Sequence, residues 1–395
     1  MNAPRLTHNF AAALPELCVP TQAAQFPSPD LVVLNEGFAR ELGLDPNWLR
    51  SEEGIAWLAG SAGGVATAYA GHQFGGFSPL LGDGRAMLLG ELGGYEIQLK
   101  GSGRTRFSRP GSDGRGALGP MLREYLVSEF MHAVGVPTTR ALAVVTTGER
   151  IVRNGRPAIG ALLVRAARSH LRVGTVQYAA TQSLELTQKV VEYAGFSSPS
   201  ELLDTVIDRQ LPLVLHWMRL GFIHGVMNTD NTTLSGETID YGPCAFTEAW
   251  DNDACFSSID TSGRYAFGQQ LNILGWNLTR LAEALLPIAD EAQLRSLLDE
   301  LPGRLQVLVD KLGDDYLAGL ATAADITTYN RDFGGPVFIP RNMMLQRALQ
   351  SAEAGHPDDY FALLKAVTDP YNPEAGPAWM AEPEGEQPFV TFCGT

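Results

Sequence analysis

The chain of 395 residues carries 29 Lys and Arg against 44 Asp and Glu, a formal net charge of −15, with 45% hydrophobic and 18% charged residues. That length suggests two domains or one large bilobal unit, and the composition excludes a disordered chain. No apolar run reaches the roughly 18 residues that a membrane-crossing helix needs, and the acidic balance argues against non-specific coating of nucleic acid.

The cysteines, Cys18, Cys244, Cys255 and Cys393, lie far apart with no C-x-x-C pair. That rules out a zinc ribbon and a disulfide scaffold. The N-terminus lacks the basic start and continuous apolar core of a signal peptide, so a cytoplasmic protein is expected. Only four of the basic residues are lysines, Lys100, Lys189, Lys311 and Lys365, so a lysine inside a motif invites a chemical explanation.

Between Gly60 and Gly119 fall 17 of the 42 glycines. With short apolar runs among them, this density predicts a β-rich lobe with close backbone approaches. Leu81-Gly82-Asp83-Gly84-Arg85 stands between two apolar runs, and Asp-Gly there is a strong hairpin-turn signal. The segment also admits a second reading, in which the glycines let backbone N–H groups approach a phosphate while Arg85 supplies charge. Next, Tyr95, Ile97 and Leu99 alternate with Glu96, Gln98 and Lys100, which predicts a half-buried strand with Lys100 on its polar face. Either Lys100 is solvated there or it meets a polyphosphate. A Gly/Arg-rich run follows it, from Gly101-Ser102-Gly103-Arg104 through Arg106 and Arg109 to Asp113-Gly114-Arg115.

Beyond this region the apolar spacing turns helical. Residues 121–134 place Leu122, Tyr125, Leu126 and Ala133 on one face, closed by Gly135 and Pro137. Glu124 falls away from that stripe, beside Val127 and Met131, either as a surface glutamate or as the partner of a strand lysine, as in the kinase Lys–Glu pair. Arg165, Arg168, His170 and Arg172 form a basic cluster that reads as an internal salt-bridge set or a phosphate clamp. In a helix, their i, i+7 spacing would put Arg165 and Arg172 on one side. Ser198-Pro199-Ser200-Glu201 looks like a capping box that opens an apolar helix, which Pro212 should bend. Residues 266–288 and 292–320 read as further helices, and 372–387 as a linker-like tail.

The most informative stretch is His224-Gly-Val-Met-Asn228-Thr-Asp230-Asn231, followed by Ile239-Asp240-Tyr241-Gly242. Such a cluster is either a set of turns or a catalytic loop. Hard divalent cations bound to phosphates take one or two protein oxygens plus substrate oxygens. Asn231 and Asp240 suit that role, which leaves Asp230 to accept a proton from an attacking hydroxyl. A loop Asp and Asn followed by Asp-aromatic-Gly is the kinase arrangement of base and metal ligands.

AYAGHQFGGFSPLLGDGRA, LKGSGRTRFSRPGSDGRG, MLREYLVSEFMHAVGVPTTRAL, VRAARSHLRVG, HGVMNTDN and TIDYGP together resemble the selenoprotein O family. The resemblance implies an α+β, bilobal protein-kinase-like fold and a protein adenylyltransferase. Such an enzyme moves AMP from ATP onto Ser, Thr or Tyr hydroxyls, with the nucleotide flipped relative to ordinary kinases. It also implies Mg²⁺ or Mn²⁺ as cofactor, UTP with manganese as a further donor combination, target proteins as partners, and neither nucleic acid nor membrane.

By position the resemblance makes Gly82, Gly84, Arg85, Lys100, Asp113 and Gly114 nucleotide contacts, with Arg165 and Arg172 on the terminal phosphates. Glu124 is the lysine's partner, Asp230 the catalytic base, and Asn231 and Asp240 the metal ligands. The expected domains are an N-terminal extension over 1–60, a β-rich nucleotide-binding lobe over 61–175, a helical lobe over 176–370 and a tail over 371–395. The loop before Asp113 is one residue longer than usual for the family, and Tyr241 stands where kinases have Phe. Two other functions use the same residues: a kinase transferring the γ-phosphate, and a non-catalytic nucleotide sensor. A conditional disulfide between Cys255 and Cys393 is a separate expectation; two unrelated free cysteines are the alternative.

Overall fold

The structure is a computed structural model that describes residues 3–385 and 389–391. Its N-terminal part is built on an 8-stranded sheet. The strand order is Cys18–Thr21, Gly64–Thr67, Ala86–Leu92, Tyr95–Lys100, Arg156–Ala167, Arg140–Arg153 and Asp30–Leu34, with Gly116–Ala117 pairing beside Arg156–Ala167. Every pairing is antiparallel. Two tight turns set the central registers: Gly93-Gly94 (φ 59° and 80°) and Asn154-Gly155 (φ 50° and 72°). Both supply the positive φ values that a two-residue hairpin loop matching the strand twist requires. The segment expected as an extension, 1–60, is woven into this sheet, since it supplies both edge strands as well as the helices packed on one face.

The sheet is covered on both faces, and that changes how its central strand behaves. On one side Met87, Leu89, Ile97, Leu99, Leu162 and Val164 pack against Phe38, Leu49 and Trp57 of the N-terminal helices. On the other, Val144, Ala161 and Leu163 meet Leu122, Leu126 and Phe130 of the helix Leu118–Ala133. Tyr95–Lys100 keeps the predicted alternation, yet all six of its residues are buried rather than half of them. Lys100 is 5% exposed, so the solvated-lysine reading fails. The Asp-Gly hairpin expected at Leu81–Arg85 also fails. Ala86–Leu92 pairs with Gly64–Thr67 and Tyr95–Lys100, while a small separate hairpin, Gly71–Gln73 with Gly76–Ser78, precedes the segment.

The helix Leu118–Ala133 is buried on nearly all sides. Glu124, expected away from the apolar stripe, is only 2% exposed. Gly135 (φ 78°) closes the helix as predicted, with Val136 N–H donating to the Met131 carbonyl at 2.9 Å. Two contacts pin the helix in place. The Tyr360 hydroxyl donates to the Leu122 carbonyl (2.9 Å), and the Gly119 N–H donates to Glu353 Oε1 (3.1 Å). Further along, Glu129 accepts from Arg140 Nε (3.0 Å), Arg140 Nη2 (2.9 Å), the Ala141 N–H (2.8 Å) and Asn35 Nδ2 (2.7 Å), tying helix to sheet.

The remainder is mainly helical, with one short antiparallel pairing of Phe222–Ile223 and Ala245–Phe246 around the loop that carries Asp230 and Asp240. Ser198 caps Pro199–Arg219, accepting from the Glu201 N–H, but the Glu201 carboxylate accepts from Ser197 rather than Ser198, so the box is half formed. That helix runs through Pro212 without a break. Residues 266–288 form a helix as expected, flanked by 3₁₀ turns. The stretch 292–320 divides into Glu291–Asp299, Leu301–Asp310 and Asp314–Thr322, because Pro302 starts a new first turn and Gly313 (φ 84°) turns the chain at the N-cap of the third helix. The tail is largely exposed as far as residue 385 but is anchored at a few points. Met380 and Ala381 are buried, and Glu384 Oε2 accepts from the Met343 N–H at 2.8 Å. Cys393 lies outside the described residues, and with it the pairing to Cys255. Among the described residues no helix is long and apolar enough to cross a membrane.

Glu129 satisfies two elements at once, so Glu129→Ala is expected to lower the unfolding free energy by about 3 kcal/mol, since it strands Arg140 without its buried partner. Urea denaturation of the two proteins measures this directly.

Candidate active site

Lys100 ends the central strand with its side chain turned away from Ile97 and Leu99, toward the helical part. Its Nζ donates to Glu124 Oε2 (2.6 Å) and pairs with Asp240. Glu124 Oε1 in turn accepts from Arg165 Nη1 (2.6 Å). Arg165 gives Nε and Nη2 to Gln98 Oε1 (2.9 and 2.7 Å), and Gln98 Nε2 donates to Asp83 Oδ1 (3.3 Å). Arg172 Nη2 lies 3.9 Å from Asp83, while its Nη1 donates to the backbone carbonyl of Asp230 (2.9 Å). One polar chain therefore joins Asp240, Lys100, Glu124, Arg165, Gln98, Asp83, Arg172 and Asp230.

The two arginines enter this chain by a route other than the predicted one. Arg165 belongs to the strand Arg156–Ala167, and Arg172 sits at the N-cap of the helix Val173–Gln182. The Arg172 guanidinium also stacks over the Tyr69 ring, 4.3 Å from its centroid.

The Gly82-Asp83-Gly84 loop serves this chain through its aspartate. Asp83 Oδ2 accepts from the Thr67 N–H (3.0 Å) and hydroxyl (2.6 Å). Gly82 N–H donates to Tyr69 and Gly84 N–H to Gly82, so these amides are engaged within the protein rather than offered to a phosphate as expected. Gly82 (φ 67°) has no room for a side chain, because Phe107 fills the space. Asp113 stays apart from the chain: it grips Arg153 through two bonds (2.9 and 2.8 Å) beside an open cavity of about 800 Å³. Arg153 above all holds its carboxyl below the ordinary range. Gly114 (φ 68°) presses against Gly103, just beyond Lys100.

Asp230 and Asn231 occupy the 3₁₀ turn Thr229–Asn231. Asp230 Oδ2 accepts from Gln73 Nε2 (3.4 Å), and Oδ1 is buried without a hydrogen-bond partner. Burial pushes its carboxyl up to about 6, against the pull of Arg172. Asp240 shows the reverse balance. Burial raises it, but Lys100, Arg165 and Arg85 together hold it well below the usual carboxylate range. It adopts a left-handed backbone (φ 72°), and the neighbouring Ile239 carbonyl contacts the buried His224 ring at 2.9 Å.

Among the described residues no cluster of three His, Cys, Asp or Glu side chains can hold a metal alone. Asn231 anchors through Nδ2 to the Val226 carbonyl (3.0 Å), which leaves its Oδ1 as a ligand oxygen. Asn231 and Asp240 each offer the hard oxygen type that Mg²⁺ or Mn²⁺ takes when phosphate and water complete its shell.

A family model described as protein adenylyltransferase SelO matches residues 5–318. The chain belongs to this selenoprotein O family. It is 44% identical to the protein nucleotidyltransferase YdiU of Corynebacterium efficiens, over 99% of this chain and 96% of that one. Proteins of the same name from Corynebacterium glutamicum strain R and Mycobacterium sp. strain KMS are 43% identical, each covered over 99% of its length. The Corynebacterium efficiens alignment runs over 475 positions against 395 residues here, so that relative carries segments this chain lacks. SelO membership makes the chain a protein nucleotidyltransferase.

Four residues of the site were not singled out from the sequence: Gln98, Asp83, Tyr69 and Gly71. Gln98 had a usable signal, since it shares the polar strand face with Lys100 at i−2. Gly71 had none. A Cβ there would collide with the Asp230 carboxylate. Gly71→Ala is therefore expected to displace that carboxylate and cut transferase activity by about 100-fold with the fold retained. Activity assays paired with thermal melts check it.

Proposed function

We propose that this SelO-family chain transfers AMP from ATP to Ser, Thr or Tyr hydroxyls of target proteins and releases pyrophosphate. The nucleotide lies between the β-rich part, 61–175, and the helical part, 176–370. One observation carries the reading: a buried carboxylate oxygen without a partner, Asp230 Oδ1, stands beside a chain of buried cations. Asp230 is the base that takes the proton of the attacking hydroxyl. With a carboxyl near 6 it is ionised at neutral pH yet basic enough to accept.

Lys100, Arg165 and Arg172 supply the phosphate contacts. Lys100 has three N–H donors and spends two, and the guanidinium of Arg172 keeps Nε unpartnered. Arg165 and Arg172 on the β- and γ-phosphates leave the α-phosphorus facing the hydroxyl. The hydroxyl oxygen then bonds to that phosphorus, the bond to the bridging oxygen breaks, and pyrophosphate leaves with the electron pair. Asn231 and Asp240 hold the divalent cation, which neutralises phosphate charge. Glu124 orients Lys100 and Arg165 together. Gly82, Gly84, Arg85, Asp113 and Gly114 form the remaining nucleotide contacts, with Gly82 and Gly84 acting by shape rather than through free amides.

ATP labelled at the α- or the γ-phosphate, with Mg²⁺ or Mn²⁺, tests the reading. Label is expected on protein from the α-position alone; label from the γ-position alone makes the enzyme a kinase. UTP labelled at the α-position, with Mn²⁺, runs as the second donor. Asp230→Asn should lower transfer by about 100-fold or more while ATP binding persists. The pH profile follows from the raised Asp230 carboxyl. The active form is the deprotonated one, so the rate should rise with pH through about 6 and level off above it.

A further inference from the structure

The small hairpin Gly71–Gln73 and Gly76–Ser78 lies directly over the catalytic turn. His72 N–H donates to the Thr229 hydroxyl (2.7 Å), Gln73 reaches Asp230, and Phe74 N–H is held by Asn228 Oδ1 (3.2 Å) and the Tyr265 hydroxyl (3.1 Å). Its outer surface is apolar and open: Phe74 is 38% exposed and Phe77 is 46% exposed. Phe74 adopts φ 51°, a left-handed backbone that glycine takes freely and a bulky side chain does not. An aromatic ring is thus displayed at a turn where the backbone alone would favour glycine, and an outlier of that kind beside a reacting group calls for a function.

The surface continues onto the helix Gln270–Leu285. The Trp276 ring lies 5.1 Å from His72 and carries the guanidinium of Arg264 at 4.8 Å and that of Arg280 at 5.1 Å. Arg264 keeps Nε and one Nη without hydrogen-bond partners among the described residues. Arg280 is paired with Glu283, so in a chain of net charge −15 the guanidinium of Arg264 is the positive charge this surface offers. Aromatic residues and arginine are the types enriched where proteins bind one another.

We propose that this patch docks the acceptor protein, and that it selects an acceptor segment with one apolar and one acidic side chain next to the modified hydroxyl. The apolar side chain packs on Phe74 and Phe77, the carboxylate pairs with Arg264, and the hydroxyl between them is presented to Asp230. The proposal rests on the nucleotidyl-transfer reading above, in which a protein hydroxyl comes to this aspartate. Charge complementarity of this kind sets partner choice more than total affinity.

Two synthetic peptides with a single serine test it, one flanked by Leu and Asp and the other by Gly and Lys, with α-labelled ATP as donor. The full-length enzyme is expected to label the Leu/Asp peptide with about tenfold higher kcat/KM. Phe77→Ser and Phe74→Gly should each raise the KM for that peptide, and Arg264→Glu should reverse the preference, all with ATP affinity within about twofold of the parent. Phe74→Gly relaxes the left-handed backbone but also removes the ring packed on Tyr265, so its melting temperature is read beside its KM. Equal labelling of the two peptides, no peptide labelling beside clear self-labelling, or unchanged selectivity in the variants would overturn the docking surface. Absence of α-label on the enzyme and on both peptides would instead overturn the transfer reading, and the proposal with it.

Discussion

A buried cation is tolerable only beside a counter-charge, and the cleft is organised around that constraint. Lys100, Arg165 and Arg172 are each about 5% exposed and alternate with Asp240, Glu124, Asp83 and Asp230 along one continuous chain. Leaving any one of them unpaired would cost several kcal/mol. The sheet, the helix Leu118–Ala133 and the catalytic turn each supply links in this chain, so the lobes are held in register by electrostatics as well as by packing. A triphosphate entering such a cleft meets cations that are already fixed in place, which spares reorganisation at the moment of reaction.

Asp230 and Asp240 show how burial and neighbouring charge together decide the state of a carboxylate. Asp230 has one distant cation and a weak donor, and burial wins, which leaves a carboxylate basic enough to accept a proton. Asp240 has three cations close by, and burial loses, which leaves it an anion at any working pH. The residue types are identical and the roles diverge because the neighbours differ.

Much of this was legible from residue types and spacing. The Lys100 strand, the Glu124 helix with its glycine stop, and the Asp230-Asn231 turn before Asp240 all stand where the patterns placed them. The half-buried strand and the solvated alternatives for Lys100 and Glu124 failed for one physical reason. Periodicity reports which face of an element is apolar, but it does not say whether the opposite face meets water. Glu124 and Lys100 sit on polar faces that turn inward to each other. Arg165 and Arg172 were grouped by helical spacing, whereas a strand and an N-cap bring them into one chain. Gly71 and Tyr69 were invisible because their importance is a contact with a distant turn.

The helix bearing Glu124 has a consequence for control of the enzyme. It is sealed on nearly every side, with Tyr360 on the Leu122 carbonyl, Glu353 at its first turn and Glu129 bolted to the sheet. Swinging it outward would expose Leu122, Leu126 and Phe130, each worth about 2 kcal/mol of burial. The lysine–glutamate pair is therefore part of the resting fold, not an assembly that a regulator completes.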